Sequence, residues 1–441
     1  MTTPVSAVSK KIKTPELLRG MKDILPDEQV YWEYFRRAAE SIAEAYSFGR
    51  IDTPIMEEAR LFDRTLGRNT DVVEKEMYAF EDKGGDLVAL RPEATASVVR
   101  AYINHGMLNW PQPVKLWYIG PMFRYDRPQS GRYRQFHQYG LEVLGGGDAV
   151  VDAQLILIAY KLFKQVGLKV KVEINSIGAP ETRKEYMVEL VAFARKRKKE
   201  LCEDCLRRMA KNPLRLLDCK MDSCRAVMKE APQIVDWLDE VSKAHFMSVI
   251  EYLDEVGVPY VLNPYLVRGL DYYSRTVFEV VPDREAKAPD EEPGSQSALA
   301  AGGRYDGLIE LLGGREATPA AGFAVGIERA ILEMKRQGVE PPVLPTPDVF
   351  FAQLGEEARR VALRRFEEVR AAGIRAVESF GKAALKGQLE VANRLKARFT
   401  VILGQKEVSE GTVIVRDMDS GAQETIPMDK MVDYLKRALR N

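Results

Sequence analysis

Residues 120–142 read G-P-M-F-R-Y-D-R-P-Q-S-G-R-Y-R-Q-F-H-Q-Y-G-L-E. The apolar lead-in Lys115–Ile119 predicts a strand, Pro128–Gly131 a loop, and Phe136–Val143 a second strand. Along that second strand Phe136, Gln138, Gly140 and Glu142 alternate with His137, Tyr139 and Leu141, which sets a polar row on one face. Arg124, Arg127, Arg132 and Arg134 cluster at the loop end, with Arg91 on a neighbouring segment. Guanidiniums offer planar forks of donors suited to phosphate oxygens. The hairpin therefore predicts a polyphosphate at its loop end and a small polar substrate along its strand.

Working outward, the chain of 441 residues is long enough for two or three domains. Lys plus Arg and Asp plus Glu are both 65, so any nucleic-acid surface must be local. No apolar run approaches the ~20 residues of a membrane span, and residues 1–17 read as a flexible tail without the apolar core of a secretory signal. No membrane and a cytoplasmic location are the default expectations.

Upstream, Pro26–Glu28 opens a helix whose apolar positions are Tyr31, Tyr34, Phe35, Ala38, Ile42, Ala45 and Tyr46. Arg50–Ile55 predicts a short strand, confined to an edge or interface by Pro54. Met77–Glu81 and Asp86–Leu90 predict a hairpin, and Thr95–Asn104 a helix. Downstream, a helix is expected over Ala149–Val166 and a strand over Lys169–Asn175. A helical insertion spans about 181–256, with five consecutive basic residues, Arg195–Lys199. L-V-R-G-L-D-Y-Y-S-R (266–275), A-L-A-A-G-G-R-Y-D-G (298–307) and G-F-A-V-G-I-E-R-A-I (322–331) return to a sheet-rich core, with an acidic loop at 282–297 between the first two. The Pro-rich stretch 336–347 is a linker. Residues 348–441 alternate strand and helix, the pattern of a small α/β domain with a largely parallel sheet.

Arg268, Arg275 and Arg329 each lie beside aromatics or glycines on segments far from the hairpin, so the arginines read as one set. There is no G-x-x-x-x-G-K-[ST] loop, so phosphate would be held by side chains. Cys202, Cys205, Cys219 and Cys224 have the spacing of zinc ligands. Free cysteines also pack as small hydrophobes, and no bound metal is the expectation. His105, His137 and His245 form no ligand pair and read as structural, His137 from the reverse face of the pocket strand.

Residues 120–142 resemble motif 2 of the class II aminoacyl-tRNA synthetases, Arg50–Ile55 motif 1 and Gly322–Ala330 motif 3. L-V-R-G-L-D-Y-Y and A-G-G-R-Y-D-G resemble the two signature peptides of the histidyl-tRNA synthetase family, with R-P-E-A-T-A and G-R-Y-R-Q-F-H-Q in support. The resemblance runs from Leu18 to about Leu439. It implies an α+β catalytic domain on an antiparallel sheet over residues 18–335, interrupted by the helical insertion, and an α/β anticodon-binding domain over 348–441. It implies ATP with Mg²⁺, L-histidine and tRNA(His) as ligands, and a homodimer through motif 1.

The same resemblance implies residue roles. Arg124 meets the α-phosphate and the substrate carboxylate, and Arg268 is catalytic between them. Arg132 and Arg329 hold ATP, with Asp126 at the adenine. Glu93, Ala94, Thr95 and Gln138 surround the α-ammonium. Glu142, Tyr272 and Tyr273 read the imidazole. Arg127 and Gln129 approach the tRNA acceptor end. The basic run of the insertion, read from its charge alone, suggests contact with the acceptor arm, against the plainer reading of a solvated helical face. Asp126 stands one methylene short of the family's usual Glu, Ala94 replaces a Gly and Ser274 an Asn. The competing expectation is a non-catalytic relative, the synthetase-like regulatory subunit of ATP phosphoribosyltransferase. Such paralogues lose the Arg268 peptide and the C-terminal domain, both of which this chain keeps.

Overall fold

The computed structural model describes residues 14–67, 70, 72–283, 298–314, 318–342, 346–379 and 384–440. The tail up to residue 13, most of the acidic loop and 343–345 of the linker lie outside the described residues. The chain divides into two compact units, Met1–Pro342 and Val343–Asn441.

In the first unit α1 (Gln29–Ala45) leads to β1 (Gly49–Arg50), β2 (Met56–Glu58), α2 (Ala59–Thr65), β3 (Tyr78–Glu81), β4 (Leu87–Leu90) and α3 (Thr95–Asn104). The long hairpin follows as β5 (Val114–Phe123) and β6 (Gln135–Leu144), then α4 (Ala149–Gln165) and β7 (Val170–Ser176). The helical segment carries α5 (Pro180–Lys196), α6 (Glu203–Lys211), α7 (Asp222–Met228) and α8 (Glu240–Glu255). The unit closes with β8 (Tyr260–Leu262), β9 (Ser274–Pro282), β10 (Ala300–Arg304), α9 (Leu308–Leu311), β11 (Ala320–Gly326) and α10 (Ile327–Arg336).

Eight strands form one sheet in the order β1-β5-β6-β11-β10-β9-β7-β8. Every pairing is antiparallel except β1 with β5 and β7 with β8. The alternation read along β6 decides its two faces. Tyr139, Leu141 and Val143 enter the core shared with α1, α4, α8 and α10, and the intervening Phe136, Gln138 and Glu142 turn to the opposite face. α4 is buried nearly all round, at Ala153, Leu155, Ile156, Ile158, Ala159, Leu162 and Phe163, because it lies between the sheet and two helices. Each of its buried Leu, Ile and Phe side chains contributes about 1.5–3 kcal/mol on burial.

Three expectations need correction. The strand over Arg50–Ile55 is only Gly49–Arg50, at the sheet edge. Pro54 lacks a donor, and the chain passes instead to β2 in a separate three-stranded sheet, β2-β4-β3. On α1 the buried stripe is Trp32, Phe35, Ala38, Ala39, Ile42 and Ala43, while Ala45 is exposed. The tyrosines stay at its rim, where Tyr34 donates its hydroxyl to Gln165 O. Within 181–256, α8 places Phe246, Val249 and Leu253 in the main core, as the crossover between the parallel strands β7 and β8.

The second unit contains β12 (Val349–Gln353), α11 (Glu356–Ala371), β13 (Ala376–Glu378), α12 (Leu385–Arg394), β14 (Phe399–Leu403), α13 (Gln405–Glu410), β15 (Thr412–Asp417), β16 (Gln423–Pro427) and α14 (Met431–Ala438). Its sheet, β13-β12-β14-β15-β16, is parallel in two pairings and antiparallel in two. The expectation of a largely parallel sheet thus holds for half of it. The link through α13 is shorter than the dozen or so residues a parallel crossover needs, and a tight turn joins β15 to β16.

Candidate active site

The polar face of the β5–β6 hairpin floors a cavity of about 1050 Å³. Segments distant in sequence converge on it: the turn before α3, the hairpin, the loop 266–273, and the β10 and β11 strands. Glycines permit the close approach. At Gly140 a Cβ would lie 2.3 Å from the Tyr118 hydroxyl, and at Gly322 it would lie 1.8 Å from Glu142 Oε2.

One end of the cavity is carboxyl and phenol. Thr95 donates its hydroxyl to Glu142 Oε1 at 2.7 Å, and Tyr305 donates to Glu142 Oε2. Glu142 is only 1% exposed, and burial pushes its carboxyl up to about 8, against the pull of the Tyr305 and Thr95 hydrogen bonds. Glu93 accepts from the backbone N–H groups of Thr95 (2.7 Å) and Ala96 (2.9 Å), and burial raises its pKa too. Gln138 lines the cavity with its Oε1 buried and unpartnered, an acceptor suited to a ligand donor. Tyr272, Tyr273 and Tyr305 close this end as a ring cluster with centroids 4.7–6.5 Å apart.

The other end is guanidinium. Arg124 donates Nε to Pro92 O at 2.8 Å, and its cationic carbon lies 5.5 Å from the Phe136 ring. Arg132 pairs with Asp126 and lies 3.9 Å from Glu76. Arg329, at the start of α10, donates to Gly131 O and Ala298 O. Burial, with Arg132 and Arg124 nearby, holds Arg329 down at about 10. Such a cluster of like charges fits an anion. Arg268 belongs to both sets: it pairs with Glu279, and its guanidinium lies 5.5 Å from the Tyr273 ring. Burial works against its charge, and Glu279, Tyr273 and Tyr272 together outweigh it, so its pKa is raised.

The structure brings together Glu93, Thr95, Arg124, Asp126, Arg132, Gln138, Arg268, Tyr272, Tyr273 and Arg329 on the cavity wall, with Glu142 just beneath. Ala94 is fully buried and faces the core. Arg127 is exposed at the hairpin tip and Gln129 sits in its turn, both outside the cavity lining. Asp126 is held by Arg132 and by the Arg127 backbone N–H at 2.6 Å.

Other arginines of the set serve the fold. Arg91 donates to the carbonyls of Pro121 and Thr53, Arg134 to those of Asp126 and Arg19, and Arg275 faces Asp306. The run 195–199 does not line the cavity; Arg197 pairs with Glu230. The insertion reaches the cavity through Arg208, Arg215, Lys220, Arg225 and Lys229 instead. Sequence reasoning also passed over Tyr305, Glu279 and Glu76. Tyr305 lies within one of the quoted signature peptides, which was the signal available for it.

His137 and His245, expected to be structural, each meet a carboxylate. His137 Nδ1 meets Glu328 at 2.8 Å with its ring edge-on to Trp32, and His245 Nε2 meets Asp152 at 2.8 Å.

Comparison with known proteins matches this architecture. The Histidyl-tRNA synthetase family model covers residues 20–330, and the Anticodon binding domain model residues 348–438. A histidine–tRNA ligase of Dehalococcoides mccartyi is 47% identical over 96% of this chain and 99% of its own. The crystal structure of apo Staphylococcus aureus histidyl-tRNA synthetase superposes with a TM-score of 0.78 at 39% identity, covering 97% of this chain and all of that one. A Bacillus halodurans structure titled an ATP phosphoribosyltransferase regulatory subunit/histidyl-tRNA synthetase shares the fold, with a TM-score of 0.63 at 21% identity and 89% of this chain covered. On motifs, cavity and full-length similarity together, the chain belongs to the histidyl-tRNA synthetase family.

Proposed function

We infer that this chain is a histidine–tRNA ligase, an ATP-dependent enzyme that activates L-histidine and transfers it to the 3′ end of tRNA(His). The observation that carries this reading is one cavity lined by both a guanidinium set and a buried carboxyl–phenol set. Family membership implies ATP with Mg²⁺, entering together as substrate.

An amino-acid carboxylate has a pKa near ~3.5, so it is already an ionised nucleophile and needs no general base. Its oxygen bonds to the α-phosphorus of ATP as the bond to pyrophosphate breaks, giving histidyl-adenylate. The barrier is the approach of two anions, and positioning and electrostatics lower it. Arg124 and Arg268 would neutralise the carboxylate and α-phosphate, and Arg132 and Arg329 the remaining phosphates. In the second step a ribose hydroxyl of the tRNA 3′ end attacks the histidyl carbonyl and AMP leaves.

At the other end, Glu93 and the free Gln138 acceptor suit an α-ammonium, whose arrival would favour ionised Glu93. Glu142, with Thr95, Tyr272 and Tyr273 nearby, suits an imidazole. A site that hydrogen-bonds a polar ring rejects analogues lacking it by roughly 10⁴–10⁵ without editing. Arg127 and Gln129 at the hairpin tip would approach the acceptor end. The basic wall from Arg208 to Lys229 would meet the acceptor arm, and the second unit the anticodon. No helix among the described residues is long and apolar enough to cross a membrane, which is compatible with a cytoplasmic site of action. The edge strand β1 is the natural place for a homodimer contact. The regulatory-subunit reading is disfavoured by the intact Arg268 peptide and by the second unit. Charging of a tRNA(His) transcript with labelled histidine tests the reading; no charging by active protein would refute it.

A further inference from the structure

The four cysteines of the insertion come together in space. Cys202 precedes α6 and Cys205 lies in its first turn, Cys219 sits in the following loop, and Cys224 lies in the first turn of α7. Their Sγ atoms all lie within 4.8 Å of one another, and Cys202 Sγ is 3.8 Å from Cys219 Sγ. Four sulfurs about 2.3 Å from one tetrahedral ion stand about 3.8 Å apart. The spread therefore suits a single ion rather than a multinuclear cluster. The four are free thiols, and the Cys202 backbone N–H points at Cys224 Sγ from 3.1 Å, a donor that favours thiolate.

The surroundings match a closed structural site. Cys205, Cys219 and Cys224 are buried and Cys202 half-buried, within an apolar shell that includes Leu201, Leu216, Leu217, Val227 and Met228. Between residues 197 and 238 the chain has only the short helices α6 and α7 joined by single turns. Small segments of this kind commonly need a staple, because their own core is thin.

We propose that Cys202, Cys205, Cys219 and Cys224 bind one structural Zn²⁺, which fixes the basic wall of the insertion against the cavity. Two ligands adjoin that wall directly: Lys220 follows Cys219 and Arg225 follows Cys224, and both line the cavity. An all-thiolate tetrahedral set selects zinc among the common divalent ions. The role of the wall rests on the proposed tRNA contact, whereas the metal content is measured without reference to any activity.

The test is elemental analysis of the full-length protein, purified reduced and without chelator from zinc-supplemented medium. About one zinc per chain is expected, as is uptake of Co²⁺ by the zinc-stripped protein with the thiolate charge-transfer and tetrahedral d–d bands of a four-cysteine site. Cys205→Ser with Cys224→Ser should lower zinc by roughly tenfold or more. Cys219→His keeps a ligand and should retain the metal, which separates ligation from misfolding. Reduced, folded wild type with neither zinc nor a Co²⁺ spectrum would overturn the proposal. So would stoichiometric iron in place of zinc, or disulfides among these cysteines in freshly isolated protein.

Discussion

Gly322 pairs with Glu142 across β11 and β6, and a methyl group there would lie 1.8 Å from Glu142 Oε2 and 2.6 Å from the Leu141 carbonyl. The second contact is backbone, so the carboxyl cannot simply swing aside. Gly322→Ala should displace Glu142 from its Tyr305 and Thr95 partners. We expect the KM for histidine in ATP–pyrophosphate exchange to rise at least about tenfold, with a smaller change in the KM for ATP. An unchanged histidine KM would detach Glu142 from substrate binding.

Glu142 also sets a pH dependence. Its folded carboxyl titrates at about 8, above the ordinary value of 4.5, so the folded state holds the proton longer than the unfolded one. Its contribution to stability is full below the unfolded pKa and is lost as pH rises towards 8. The loss is on the order of a few kcal/mol. Urea unfolding of ligand-free protein should show wild type losing stability over this window relative to Glu142→Gln. Parallel pH profiles for the two proteins would count against a buried neutral Glu142.

Arg268 and Glu279 pair with each other, and both line the cavity. Arg268→Lys keeps the charge but loses the planar fork. Single-turnover adenylate formation should slow by roughly 10² or more, as for loss of a transition-state donor. A near wild-type rate would remove Arg268 from the reaction.

Arg304 is fully buried with Asp152, and it also donates to Gly146 O and Asp306, each at 3.0 Å. Asp152→Ala would leave that guanidinium, and His245, without their shared carboxylate. We expect a cost of about 3–5 kcal/mol in the folding free energy of the first unit, measured by chemical denaturation.

Arg225 on the insertion wall should act on the second step. Arg225→Glu is expected to reduce aminoacylation severalfold more than ATP–pyrophosphate exchange, and to flatten the salt dependence of tRNA binding. Equal losses in both reactions would argue against a tRNA contact there.

The hairpin and its polar face were legible because a period of two assigns every residue of β6 to one side, and Gln138 and Glu142 followed from it. Tyr305, the partner of Glu142, was missed because it lies 163 residues further along and only the sheet brings it back. Arg91, Arg134 and Arg275 look like Arg124 in sequence. What separates them is which carbonyl or carboxylate claims each guanidinium, a tertiary fact. The cysteines had metal-like spacing, but spacing alone does not bring four sulfurs to one point. Strand β16, Gln-Glu-Thr-Ile-Pro, was invisible because a polar edge strand carries almost no alternation.

Histidine-dependent ATP–pyrophosphate exchange tests the central claim most directly, because it needs no tRNA and reads the cavity alone. The arrangement of Arg124, Arg268, Gln138 and Glu142 predicts rapid exchange that requires L-histidine and is not supported by other amino acids. Absence of exchange by folded protein, together with measurable binding to a phosphoribosyltransferase, would contradict it and favour the regulatory subunit.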